Sequence, residues 1–73
     1  MINNDYGNIQ LNINRLLKLN GFSKNYVCKE LNLSRKNFNR YCNNDIQRID
    51  KLLLCKLCYI FNCKIEDIIE YKP

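Results

Sequence analysis

The stretch that most limits how this chain can fold is residues 23–43, where two short helical patterns are separated by little more than a corner. Ser23 carries a hydroxyl able to accept a backbone N–H of a first helical turn. It opens a helix running to about Leu31, with Tyr26, Val27, Cys28 and Leu31 on the inner side. Asn32 follows, where a residue tolerant of positive φ is needed. Leu33 plugs the corner, and Ser34 is a second N-cap that opens a helix from Arg35 to about Cys42. In that helix only Phe38, Tyr41 and Cys42 are apolar, at i, i+3 and i+4, and every other position is polar.

Turn signals divide the rest into compatible pieces. Residues 1–8, rich in Asn with Asp and Gly, read as a flexible N-terminal arm. Ile9, Ile13, Leu16 and Leu17 recur at helical spacing and predict a first helix over 9–20, stopped by Asn20-Gly21. Asp50 caps a fourth helix over 51–61, followed by Asn62. A last short helix runs from about 65 to 70, with Glu66 and Asp67 in its first turn where the helix dipole favours acids. No segment shows the sustained alternation of a strand, and no internal repeat is visible. With 73 residues, the expectation is one all-α domain of five compact helices over 9–73, its core drawn from Ile13, Leu16, Val27, Leu31, Leu33, Phe38, Leu54, Leu57, Phe61, Ile65 and Ile68.

Charge and cysteine usage narrow the function. The net charge of +5 is uneven: residues 1–23 carry +1, residues 24–48 carry +4 and residues 49–73 are neutral. A basic surplus in the middle third suits phosphates, although a solvated basic face would look the same. No apolar run approaches the ~18 residues that span a membrane, and no basic stretch precedes an apolar one as in a secretory signal, so a cytoplasmic protein is expected. Five cysteines (Cys28, Cys42, Cys55, Cys58 and Cys63) cannot all pair within one chain and read as reduced thiols. Cys55 and Cys58 with Cys63 invite a zinc site, but histidine is absent and no second CxxC completes four ligands, so no metal is expected.

The polarity of the helix over 35–42 is what a DNA-reading helix requires. Its three apolar residues anchor it while long donors project into a major groove about 12 Å wide. Arg and Lys donate to guanine O6 and N7, and Asn pairs bidentately with adenine. An ordinary αα-corner with a wet outer face would share this polarity.

Here the sequence resembles the lambda-repressor-like Cro/cI (XRE) helix-turn-helix family. The resemblance lies in Val27, Cys28, Leu31, Asn32, Leu33 and Ser34 followed by a polar helix with Phe38 buried, and in the closing pattern of Leu54, Leu57, Cys58, Phe61, Ile65, Ile68 and Ile69. It spans residues 9–69 and implies a sequence-specific double-stranded DNA-binding transcriptional regulator. Three positions depart from the family. The turn glycine is Asn32, the glutamine opening the second helix is Lys24, and a buried Arg–Glu pair is replaced by Leu17 and Cys42. Lys24 keeps a phosphate donor as a point charge, and exchanging a buried ion pair for apolar groups is often neutral or stabilising. By position, the resemblance assigns base contacts to Arg35, Lys36 and Arg40, with Asn37 and Asn39 secondary. It assigns backbone contacts to Lys24, Ser34 and Asn43, to which Arg48 in the following loop is added.

The fourth helix holds more apolar residues than one inward face needs. With Leu54, Leu57, Cys58 and Phe61 inward, Leu52, Leu53, Tyr59 and Ile60 remain as a candidate dimer interface, unless the last helix and the arm cover them. A homodimer would set two reading helices about 34 Å apart on a palindromic site. The rival function is a protein-interaction module of antitoxin or anti-repressor type on the same scaffold. An enzyme is not expected: there is no histidine, no glycine-rich phosphate loop and no paired carboxylates in a cleft. Nor is a membrane surface, a small-molecule ligand or a cofactor indicated.

Overall fold

The computed structural model describes residues 6–73 as a five-helix domain whose two ends are joined by a small sheet. The order is β1 (Asn8–Leu11), α1 (Ile13–Asn20), α2 (Lys24–Leu31), α3 (Arg35–Cys42), α4 (Lys51–Phe61), α5 (Ile65–Ile68) and β2 (Ile69–Lys72).

Local chemistry sets the helix limits. The Ser23, Ser34 and Asp50 side chains accept the backbone N–H groups of Tyr26, Asn37 and Leu53 at 3.0, 3.2 and 3.0 Å. At α5 the acid reaches back instead, the Lys64 N–H donating to Asp67 Oδ2 at 2.9 Å. Helices α1, α2 and α4 each end on a left-handed residue: Gly21 at φ 68°, Asn32 at φ 55° and Asn62 at φ 50°. Such a residue turns the chain back so that following N–H groups reach the last carbonyls. The Leu33 N–H donates to the Cys28 carbonyl at 2.8 Å, and the Cys63 N–H to that of Cys58 at 3.1 Å. A cation completes the end of α2, where Lys56 Nζ donates to the Leu31 carbonyl at 3.0 Å.

One residue from each helix lies at the centre: Ile13, Val27, Phe38, Leu57 and Ile68 are all fully buried. Burying side chains of this size contributes roughly 1.5–3 kcal/mol each. Around them pack Leu11, Leu16, Leu17, Leu31, Tyr41, Leu53 and Phe61, with the Cys28 and Cys42 thiols filling small gaps. Burial pushes the Cys28 and Cys42 thiols up from their ordinary range, so they stay neutral in the core. Leu17 and Cys42 are therefore packed apolar groups.

The helix expected over 9–20 begins only at Ile13, and the one expected over 65–70 stops at Ile68. The residues freed at both ends form an antiparallel pair in the register Asn8↔Lys72, Ile9↔Tyr71, Gln10↔Glu70 and Leu11↔Ile69. The expectation of no strand is thus corrected. Both segments alternate polar and apolar residues, but over four residues each, and each finds its backbone strand partner in the other. The Asn12 N–H extends the pairing to the Ile68 carbonyl at 2.8 Å. Of the arm expected over 1–8, residues 1–5 lie outside the described residues, while Asn8 belongs to β1. Gly7, at φ 85°, admits the close pass of the chain ends, since a Cβ there would sit 2.6 Å from the Lys72 carbonyl oxygen.

On its other edge β1 pairs with a side chain. Asn44 accepts the Leu11 N–H at 2.6 Å and donates to the Leu11 carbonyl at 3.1 Å, imitating a strand with one carboxamide. This ties the loop after α3 to the sheet.

Several expected burials also change. Helix α4 is turned so that Leu53, Leu57 and Phe61 point inward, one residue out of phase with the expected face at its start. Leu53 is buried, not on the surface, and Leu54 and Cys58 lie half-buried at the flank. Ile65 is exposed because it opens α5 on the side away from the core, Leu33 is half-buried at the corner, and Tyr26 is exposed on α2.

Two outcomes are expected. Asn44→Gly, which keeps the positive φ but removes both hydrogen bonds, should lower unfolding free energy by about 1–3 kcal/mol in a denaturant melt. An unchanged midpoint would refute the pairing role. Native-state alkylation followed by peptide mass analysis should modify exposed Cys55 first and the buried Cys28 and Cys42 last; uniform modification would contradict the core assignment.

Candidate nucleic-acid interface

The outward face of α3 carries Arg35, Lys36, Asn37 and Arg40, all exposed, while Phe38, Tyr41 and Cys42 hold the opposite face in the core. Both ends of the helix are fixed. Ser34 caps the start, and near the C-terminus Asn14 Nδ2 donates to the Cys42 carbonyl at 3.2 Å. The Tyr41 hydroxyl accepts the Asp50 N–H at 3.0 Å, linking α3 to the start of α4. An eight-residue helix with three apolar side chains is marginal by itself, so packing of those side chains sets its direction and these bonds secure its two ends.

The exposed donors are not equally free. Arg35 donates through Nη1 to Asn25 Oδ1 and through Nε to Asn39 Oδ1, the latter at 3.4 Å. Its guanidinium therefore bridges α2 and α3. Arg40 Nε donates to the Asp45 carbonyl at 3.3 Å, which draws that side chain toward the loop after α3. Lys36 and Asn37 have no side-chain hydrogen bond among the described residues. Asn39, a secondary base-contact candidate, is half-buried.

The residues assigned to phosphate contact sit on α2, at both ends of α3 and in the loop before α4. Lys24 opens α2 and is half-buried, Ser34 opens α3, Asn43 ends it, and Arg48 is exposed in the loop before α4. The N-termini of α2 and α3 add partial positive charge beside Lys24 and Arg35. This combination of cations, amides and helix N-termini can hold phosphates on its margin and base edges at its centre. Asn25 was not singled out from sequence, because an exposed amide in a helix leaves no periodic signature.

A second surface lies on α4. Leu52 and Tyr59 are exposed, at 61% and 84%, whereas Ile60 is half-buried and Leu53 is in the core. A shallow, mostly apolar groove beside them is lined by Lys51, Leu54, Cys55, Cys58, Tyr59 and Ile65. Burial, with the neighbouring Cys58 and Asp67, pushes the Cys63 thiol up. Among the described residues no group of three or more His, Cys, Asp or Glu side chains is placed to hold a metal ion. Among them, too, no helix is long and apolar enough to cross a membrane.

Comparison with known proteins agrees with this geometry. A sequence profile for Cro/C1-type HTH DNA-binding domains matches residues 12–73. A Bacteroides fragilis protein, provisionally described as DNA-binding, superposes with a TM-score of 0.77 at 17% identity, covering 86% of this chain and all (100%) of that one. The transcriptional regulator VanUg superposes with a TM-score of 0.74 at 24% identity, covering 100% of this chain and 99% of its own. At these identities the two likenesses establish the fold alone. No curated protein matches the chain in sequence.

Proposed function

Because this chain belongs to the family of Cro/C1-type helix-turn-helix DNA-binding domains, we propose that it is a sequence-specific transcriptional regulator that inserts α3 into the major groove of double-stranded DNA. The observation that carries this reading is the exposed polar face of α3, held outward by Phe38, Tyr41 and Cys42. Arg35, Lys36 and Asn37 occupy the leading part of the helix and take the base edges, with Arg40 and Asn39 one turn further on. Lys24, Ser34, Asn43 and Arg48 contact the phosphates and fix the register.

The partner we assign to the outer face of α4 is a second copy of this chain. A helix apolar around most of its circumference is ordinarily covered, and Leu52, Cys55 and Tyr59 stand uncovered here with Lys51 as the charge among them. With the twofold axis perpendicular to α4, an isologous pair of such faces sets the two α4 helices antiparallel, so that each dipole opposes its neighbour and Lys51 approaches Tyr59 of the other copy. Leu53 takes no part in that contact.

Selection of bound sequences from a random duplex pool, followed by affinity measurements across salt concentrations, tests the DNA reading. Lys36→Ala should relax preference at one base pair at a cost of ~1–3 kcal/mol, whereas Lys24→Ala should weaken all sequences alike and reduce the salt slope by about one. Absence of any selected sequence, together with capture of a different protein by α4, would instead favour the interaction-module reading. In analytical ultracentrifugation the wild type should associate on a duplex carrying two half-sites, and Tyr59→Glu should bind as a monomer. A wild type that stays monomeric at high micromolar concentration, with and without DNA, removes the dimer.

A further inference from the structure

We propose that Asn25, on α2 and outside the reading helix, is a specificity-determining positioning residue: its carboxamide holds the Arg35 guanidinium in the pose from which that side chain reads a base. The proposal rests on the DNA-binding reading above and adds a residue to it.

The geometry is a clamp with one jaw on each helix. Asn25 is the second residue of α2 and Arg35 the first of α3, and the Arg35 Nη1–Asn25 Oδ1 bond spans the corner between them. The second jaw is Asn39, one turn along α3, whose Oδ1 accepts from Arg35 Nε at 3.4 Å. Arg35 is otherwise exposed, and an exposed arginine samples many rotamers. Held at Nε and Nη1, its guanidinium loses most of that freedom before DNA arrives. A guanidinium carries five N–H donors, so two are committed and about three remain, enough for the paired acceptors on a guanine edge.

The chemistry of the jaws matters as much as their position. An aspartate or glutamate at position 25 would hold the arginine more strongly but would cancel its charge where phosphates must be attracted. A neutral amide orients the cation and leaves its charge intact. The same bond commits Asn39 Oδ1, so Asn39 acts on the base chiefly through Arg35. Ordering a rotamer-rich side chain in advance removes part of the entropy cost of binding, which corresponds to roughly two- to tenfold in affinity.

The test is a double-mutant cycle with the full chain. The base pair read by Arg35 is first identified as the position where Arg35→Ala relaxes the selected sequence. Asn25→Ala should relax preference at that same base pair by roughly two- to tenfold, leave the other positions unchanged, and have no effect in the Arg35→Ala background. Its thermal midpoint should match the wild type, since Asn25 is exposed. Asn25→Asp should keep the preference while lowering affinity for every sequence. A uniform loss across positions with Asn25→Ala, or an equal loss in both backgrounds, would overturn the clamp. A readout without DNA separates this from the binding reading: the Arg35 Nε–H of the free protein should be rigid by 15N relaxation and become mobile in Asn25→Ala. A mobile Arg35 Nε in the wild type refutes the proposal whatever the chain binds, whereas a rigid one with no selected duplex would refute only the DNA reading.

Discussion

Five side chains, one from each helix, meet at the centre of this domain, and Phe38 is the member on which the exposed surface depends. Helix α3 is polar at five of its eight positions, so it contributes little to the core beyond Phe38, Tyr41 and Cys42. Those three residues nevertheless decide which direction the remaining five face. Any loss of packing under Phe38 would leave α3 free to roll, and the same donors would no longer converge. Stability and the direction of the exposed donors are therefore linked through one aromatic ring. The links at either end of the helix, from Ser34, Asn14 and Tyr41, act on an orientation that the ring has already set.

Asparagine does much of the work that glycine does in other small helical domains. Asn32, Asn44 and Asn62 all hold positive φ, and two of them terminate helices. The left-handed region costs asparagine less than other non-glycine residues, and its side chain adds hydrogen-bonding capacity that glycine lacks. Asn44 uses that capacity fully, satisfying both backbone groups of Leu11. The loop after α3 is consequently anchored to the sheet that joins the chain ends, which places Asn43 and Arg48 on a supported backbone.

What could be read from sequence follows the range of the interactions involved. Helix limits rest on contacts within five residues, so Ser23, Ser34, Asp50, Asn32 and Asn62 announced them. The two-stranded sheet depends on a partner about sixty residues away, and four residues of alternation in 8–11 cannot be told from helical spacing when Ile9 and Ile13 also fit the latter. Phase along α4 was illegible for a different reason. Leu52, Leu53 and Leu54 are consecutive, so apolar residues occupy most of the circumference and no single direction is preferred until neighbouring helices choose one. The outer face of α3 was legible because its apolar residues are few and regularly spaced. The bond from Arg35 to Asn25 was not, since pairing between exposed polar side chains depends on the angle between two helices, which the turn sequence constrains only loosely.

The dimensions of α3 bear on the α4 surface. An eight-residue helix is about 12 Å long, and base steps lie about 3.4 Å apart, so in the proposed reading its exposed side chains address roughly three or four base pairs. A site that short recurs by chance about once in 60 to 250 base pairs, so α3 of a single copy would give little selectivity in a genome. In the dimer reading proposed above, selectivity comes from joining two such readings at fixed spacing. Among the described residues of the five helices, Tyr59 of α4 is the most exposed large apolar side chain, at 84%, and Leu52 on the same helix is exposed at 61%; in the dimer reading this is where a second copy attaches. In that reading, a short α3 and an under-covered fourth helix answer one requirement: two copies together specify a longer site than either does alone.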